Sequence, residues 1–175
     1  MKVIKTKIEG LCVLELEPIQ DRRGFFVKVF SEKELKKNKI DFKIREVNQS
    51  FNLKKGTIRG MHFQKAPKTE GKIVQCLKGR IFDAVIDLRP QSKTYRQWLT
   101  MELSDKNKKM ILIPKNFAHG FQILTDQCEV QYFMSEFYSP EHASGLRWND
   151  PAFNIPWPLK VSNISEKDQN WPLLD

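Results

Sequence analysis

The chain is poor in cysteine and histidine and has no long apolar run. Cys12, Cys76 and Cys128 are an odd set with no CxxC spacing. That argues against a disulfide framework or a zinc knuckle, and for buried free thiols. No apolar stretch approaches the roughly 18 residues that a membrane span needs. The N-terminal "MKVIKTKIEG" lacks the apolar segment of a signal peptide. A cytoplasmic protein without a membrane partner is expected. Repeats, low-complexity tracts and Pro/Ser linkers are also missing, so residues 1–175 read as a single domain.

The net charge of +9 raises the question of nucleic acid. The lysines are scattered, as in "KKNK" and "KNKK", with no zinc finger, basic heptad or aromatic RNA-binding signature beside them. They read as solvated turns, and no nucleic-acid partner is expected. A basic surface does favour a small anionic ligand through long-range attraction.

Period-two alternation in short runs is the dominant pattern. Cys12, Leu14 and Leu16 alternate with Val13, Glu15 and Glu17. After "DRRG", Phe25, Val27 and Val29 alternate with Phe26, Lys28 and Phe30. "GKIVQCLKGRIFDAVIDLRP" reads as two strands around a tight turn at Lys78-Gly79, and "KMILIP", "HGFQIL" and "CEVQYFMSEFY" add three more. Helices are few. "SEKELKKN" and the later "SEKD" each begin with a capping-box pattern, Ser31 with Glu34 and Ser165 with Asp168. The expected fold is all-β: a cupin-type antiparallel jelly-roll barrel with a few short peripheral helices.

The histidines are His62, His119 and His142. His142, in "SPEHASG", reads as a loop residue. His62 shares strand parity with Ile58 and is expected to face the same way. Gly60 and Gly120 keep the backbone around His62 and His119 lean, as a closely approaching ligand requires. Metal-holding barrels of this type carry an H-x-H pair, but positions 60 and 64 are Gly and Gln. No metal and no other cofactor is expected.

What remains is acid–base chemistry. A histidine is suited to take a proton near neutral pH. Lys72 lies on the parity of Val74 and Cys76, where an unpaired ammonium is expensive. It is either a strand-end lysine reaching solvent or a cation awaiting charge that develops on a substrate. Tyr132 shares an apolar face with Val130 and Met134, as a core phenol or as a proton donor. Asp168 either completes a helix cap or orients a histidine. Base, cation and acid together suit proton abstraction beside a carbonyl and return of the proton from the opposite side.

Collectively, "DRRGFFVKVF", "TIRGMHFQ", "EGKIVQCLKGRIFDAVIDLRPQSKTYRQW", "IPKNFAHGF", "RWNDPAFNIPWP" and "SEKD" resemble, in order, the dTDP-4-dehydrorhamnose 3,5-epimerase family of deoxysugar biosynthesis. The resemblance runs from about residue 3 to 173. It implies a metal-free cupin, usually a homodimer with strands contributed across the interface. The implied activity is that of an isomerase acting on a nucleotide-diphosphate 4-keto-6-deoxy sugar. Carried over by position, His62 is the base, Asp168 its orienting carboxylate, Lys72 the stabiliser of the enolate oxygen and Tyr132 the acid. His119 is a substrate-binding histidine. Arg23 and Arg59 match the arginines that hold the diphosphate and nucleotide, and Asn48 and Tyr138 match positions that contact base or ribose. Lys167, beside Asp168, joins the substrate-binding set.

Departures from the family pattern cluster where the nucleotide would lie. Lys28 replaces a Glu, Glu46 a Gln, and Ala143 a position often occupied by Glu. These leave a CDP- or GDP-linked sugar, or inversion at one carbon only, as alternatives. A nucleotide-sugar 3,4-ketoisomerase and a non-catalytic sugar-binding cupin are further readings of the same barrel.

Overall fold

The computed structural model describes residues 1–174. The chain runs through β1 (Lys2–Lys5), β2 (Cys12–Glu15), β3 (Ile19–Asp21), β4 (Gly24–Phe26), α1 (Glu32–Lys37), β5 (Glu46–Asn52), β6 (Thr57–Gln64) and β7 (Lys72–Lys78). It continues through β8 (Arg80–Asp87), β9 (Trp98–Ser104), β10 (Lys109–Ile113), β11 (Phe117–Ile123), β12 (Cys128–Met134), β13 (Ala143–Gly145), β14 (Asn163–Ile164) and α2 (Glu166–Gln169).

Two sheets face each other. One has the order β1-β2-β10-β7-β12-β5, and the other β13-β6-β11-β8-β9 with β14 alongside β6. Every pair is antiparallel except β14 with β6. This is the jelly roll that the alternation predicts. The residues turned inward make the central core: Val74 and Cys76 of β7 and Val130 of β12 meet Ile81 and Val85 of β8 and Phe121 of β11. The first sheet's outer face packs Leu14, Ile73, Met110 and Phe133 under Leu35 of α1 and Phe42. The second sheet's outer face packs Met61, Ala84, Ile86 and Ala118 under Leu146 and Phe153 of the C-terminal segment. Both helices start where expected, with Ser31 Oγ accepting from Glu34 N–H and Ser165 Oγ from Asp168 N–H.

Three expectations are corrected. The alternation after "DRRG" yields only β4, and Val27–Phe30 carry no strand. Their apolar members Val27, Val29 and Phe30 pack against the outer cluster around Leu35, so burial there comes without ladder pairing. The strands flanking Lys78-Gly79 are not a hairpin. β7 pairs with β10 and β12, while β8 pairs with β9 and β11. At Gly79 (φ +84°) the chain passes from one sheet to the other.

The third correction positions the site. Along β6, Arg59 stands opposite Phe121 and His62 opposite His119, so three steps on β6 match two on β11. That is a β-bulge, and it reverses the alternation. Ile58, opposite Gln122, therefore faces outward, while Arg59 and His62 both face the inter-sheet space. Gly60 permits it, at φ +129° and with its Cα packed on Gly120 where a Cβ has no room.

Candidate active site

A cavity of about 490 Å³ opens where the near edges of the two sheets diverge. Glu46 and Asn48 of β5 and Met134 of β12 form one wall. Arg59 and His62 of β6 with Ala143 and Ser144 of β13 form the other, and Lys167, Asp168 and Trp171 close the end.

His62 and Asp168 meet at this cavity. Ser165 caps α2 and thereby presents Asp168, whose backbone serves the cap while its carboxylate is free to act elsewhere. The residue thus takes part in the helix cap through its backbone and meets His62 through its side chain. Oδ1 lies 2.6 Å from His62 Nε2 and accepts from Trp171 Nε1–H at 3.2 Å, and Oδ2 accepts from Gly60 N–H at 3.2 Å. Burial alone pushes the Asp168 carboxyl up. The hydrogen bond and charge of His62, the Gly60 amide and the Trp171 indole outweigh it and hold the group below its ordinary value. An ionised carboxylate only accepts, so Nε2 of His62 carries the proton and Nδ1 is the lone-pair nitrogen. The imidazole side chain is 43% exposed while Asp168 is 5% exposed, which gives an accessible ring on a buried support.

Tyr132, Lys72 and His119 stand behind the cavity wall and do not line it. Tyr132 is opposite Asn48 on one side and Val74 on the other, in the same inner face as Met134. Its hydroxyl is 2.8 Å from Ser50 Oγ. Burial pushes the phenol up to about 12, against the hydrogen bond of Ser50 and the charge of Arg59, so it stays protonated at physiological pH. His119 is buried, with Nε2 2.8 Å from Asp83 Oδ2, and its ring lies 6.0 Å from that of Phe121. Phe121 in turn lies 6.2 Å from Tyr132. Asp83 Oδ1 is buried without a partner among the described residues.

Lys72 is not an unpaired cation. Its ammonium lies 2.8 Å from Glu70 Oε1, with both side chains nearly buried, at 7% and 8% exposure. Glu70 itself lines the cavity. An ion pair so placed satisfies the charge that the sequence left unaccounted for.

Of the residues assigned to the nucleotide, Asn48, Arg59, Tyr138, Lys167 and Glu46 line the cavity. Arg59 donates from Nε to Asn52 Oδ1 at 2.7 Å, and Glu46 accepts from Tyr138 N–H at 3.4 Å. Arg23 and Lys28 are exposed and lie outside it. Arg23 pairs with Asp21 on the β3–β4 hairpin, at 2.6 Å. Among the described residues no group of three His, Cys, Asp or Glu side chains is arranged to hold a metal ion.

Sequence reasoning missed Glu70, Trp171 and Asp83. Each carried a signal. Glu70 is two residues from Lys72 and so shares its face if the strand extends back. Trp171 is three residues past Asp168, one helical turn away. Asp83 shares strand parity with Ile81 and Val85, a carboxylate on an apolar face that calls for a partner.

An accessible lone-pair nitrogen at the cavity, with a neutral phenol and a buried lysine–glutamate pair at and behind its wall, suits proton transfer to and from carbon. Arg59 and Lys167 at its rim suit an anionic group.

The family model described as dTDP-4-dehydrorhamnose 3,5-epimerase matches residues 5–175. A protein of that description from Methanothermobacter thermautotrophicus is 42% identical over 173 residues, covering 97% of this chain and 92% of its own. One from Salmonella typhimurium is 38% identical over 179 residues, covering 100% and 96%. Among solved structures, the Bacillus anthracis enzyme with TDP and pyrophosphate bound superposes at a TM-score of 0.96 with 41% identity, covering 99% of each chain. The Legionella pneumophila enzyme in complex with dTDP-4-keto-L-rhamnose does so at 0.92 with 36% identity, covering 98% of this chain and 92% of that one.

Proposed function

The chain belongs to the dTDP-4-dehydrorhamnose 3,5-epimerase family, and from that premise we propose that it inverts C3 and C5 of a dTDP-linked 4-keto-6-deoxyhexose. The observation that carries the reading is the His62–Asp168 pair at the cavity mouth.

C3 and C5 both flank the C4 ketone, so loss of either proton gives an enolate. Nδ1 of His62 takes the proton, and Asp168 stabilises the imidazolium that results through Nε2–H. Negative charge gathers on the C4 oxygen, and the buried Lys72 ammonium, paired with Glu70 at the cavity wall, is the cation assigned to receive it. Tyr132 returns a proton from the opposite side. Its raised pKa keeps the hydroxyl hydrogen in place until a carbanion demands it. His119, set by Asp83, supports the sugar end from beneath. Arg59 and Lys167 receive the diphosphate, and Tyr138, 59% exposed, offers a ring for the base to stack on.

Arg23 and Lys28 complete the site of a second copy in this reading. The β3–β4 hairpin exposes Ile19, Phe25 and Phe26, and the edge strand β5 exposes Val47 and Phe51. Apolar side chains of this size on a hairpin and a sheet edge are suited to burial against another chain. A homodimer that exchanges the hairpin brings those two cations toward the partner's cavity. The free thiols Cys12, Cys76 and Cys128 suit a reducing cytoplasm.

The test is turnover in deuterated water with dTDP-4-dehydro-6-deoxyglucose, counting deuterium at C3 and C5 by mass spectrometry. Incorporation at both carbons is expected, with CDP- and GDP-linked sugars as slower comparators. No incorporation at either carbon overturns the reading.

A further inference from the structure

Trp171 follows α2 directly and has no part in the chemistry above, yet several contacts converge on it. Its Nε1–H donates to the same Asp168 oxygen that meets His62. Its ring lies edge-on to the imidazole, with centroids 6.4 Å apart and planes at 70°. It lines the cavity beside both residues. The indole is also held from outside. Arg147 donates from Nε to the Trp171 carbonyl at 3.0 Å, and the Lys167 ammonium lies 5.1 Å over the ring. Gly145 leaves the necessary space, because a Cβ there would come within 2.5 Å of Cε2 and 2.6 Å of Nε1.

We propose that Trp171 is a positioning residue for the base, fixing the Asp168 carboxylate in the plane of the imidazole and limiting rotation of the His62 ring. The inference rests on His62 being the base. Two physical effects follow. The indole N–H takes part of the charge on Oδ1, so the carboxylate pulls less strongly on the His62 proton and the imidazole stays ready to accept another. The indole ring lies against one side of the half-exposed imidazole and limits its swing about the Asp168 contact.

Other charged and titratable groups around the dyad are Arg59 on β6, His119 of β11 with Asp83 of β8, and Lys167 on α2. Glu46 and Glu70 face it across the cavity, with Lys72 and Tyr132 behind them. β13 contributes no charge. None of these shares Oδ1 of Asp168.

Trp171→Phe keeps a ring against His62 and removes the N–H, while Trp171→Ala removes both. For Trp171→Phe, kcat for deuterium exchange should fall roughly fivefold to twentyfold, as expected for loss of a hydrogen bond to a charged group. KM should stay within about twofold, and the acid limb of the kcat/KM profile should move up by roughly half a pH unit. The Nε2–H proton resonance of His62 should shift in the same variant. A folded Trp171→Phe protein with unchanged kcat, acid limb and resonance overturns the proposal, as does a lowered melting temperature alone. If Trp171→Ala fails to fold, Trp171→Phe decides. Should the parent protein show no exchange with any sugar, a shifted resonance still supports the positioning role while the epimerase reading falls. An unshifted resonance removes both.

Discussion

Asp168 and His62 are 106 positions apart in the chain and 2.6 Å apart in space. The strand supplies the imidazole, and a four-residue helix capped by Ser165 supplies the carboxylate that sets its tautomer. His62→Asn should therefore abolish deuterium exchange at both C3 and C5, because no base remains. Asp168→Asn should retain the fold and lose roughly 10²–10⁴-fold in rate, the usual worth of a positioned general base. Equal exchange rates in parent and Asp168→Asn would remove the carboxylate from the mechanism.

Tyr132 gives a prediction that separates abstraction from return. In Tyr132→Phe the substrate proton should still wash out into solvent, while inversion slows by at least about tenfold. The phenol is raised to about 12, so it remains protonated across the working range. Its ionisation should contribute no fall in rate below about pH 11, and an alkaline limb near pH 9 that disappears in Tyr132→Phe would contradict this.

Glu70 and Lys72 should behave as a unit. Removing one partner leaves the other buried and uncompensated, at a cost of roughly 3–5 kcal/mol. Glu70→Met and Lys72→Met are each expected to unfold at lower urea than the double variant. Additive losses in that cycle would show that the two charges are not coupled.

Asp87 links acid to stability. Burial opposes its charge, but Arg89, Ser92, Thr94 and the Arg89 amide all donate to it and draw the carboxyl down to about 2. A depressed carboxyl contributes stability that is present above its unfolded value of about 4 and is lost as pH falls through the folded value. Asp87→Asn should be less stable than the parent at pH 7, with the difference closing between about pH 4 and pH 2. Parallel acid-unfolding curves would argue against this assignment.

Much of this was legible in the residues. Alternation in "KIVQC" and "CEVQYFM" marks strands whose inner faces carry Lys72 and Tyr132, and the two Ser-led capping patterns start helices. The ordered motifs point to His62 and Asp168. Three kinds of information were not legible. The facing of His62 depends on a bulge, which is a relation between two strands and invisible in either alone. The ion pair of Lys72 depends on Glu70, which lies before the strand proper. Val27 to Phe30 carry an alternating pattern that packing, and not ladder pairing, makes use of. Local patterns specify which side chains are apolar; they do not specify which neighbour receives them.

The bulge in β6 makes catalysis a question of phase. Arg59 and His62 share one chamber only because an extra backbone unit intervenes between them. Inserting one residue beside Gly120 of β11 would let the two strands pair step for step, preserving every reactive group yet placing Arg59 and His62 on opposite faces of the sheet. A folded barrel unable to exchange a single sugar hydrogen is the expected product. Barrels of this construction can thus fall silent through a change of length, with the chemistry-bearing letters all intact.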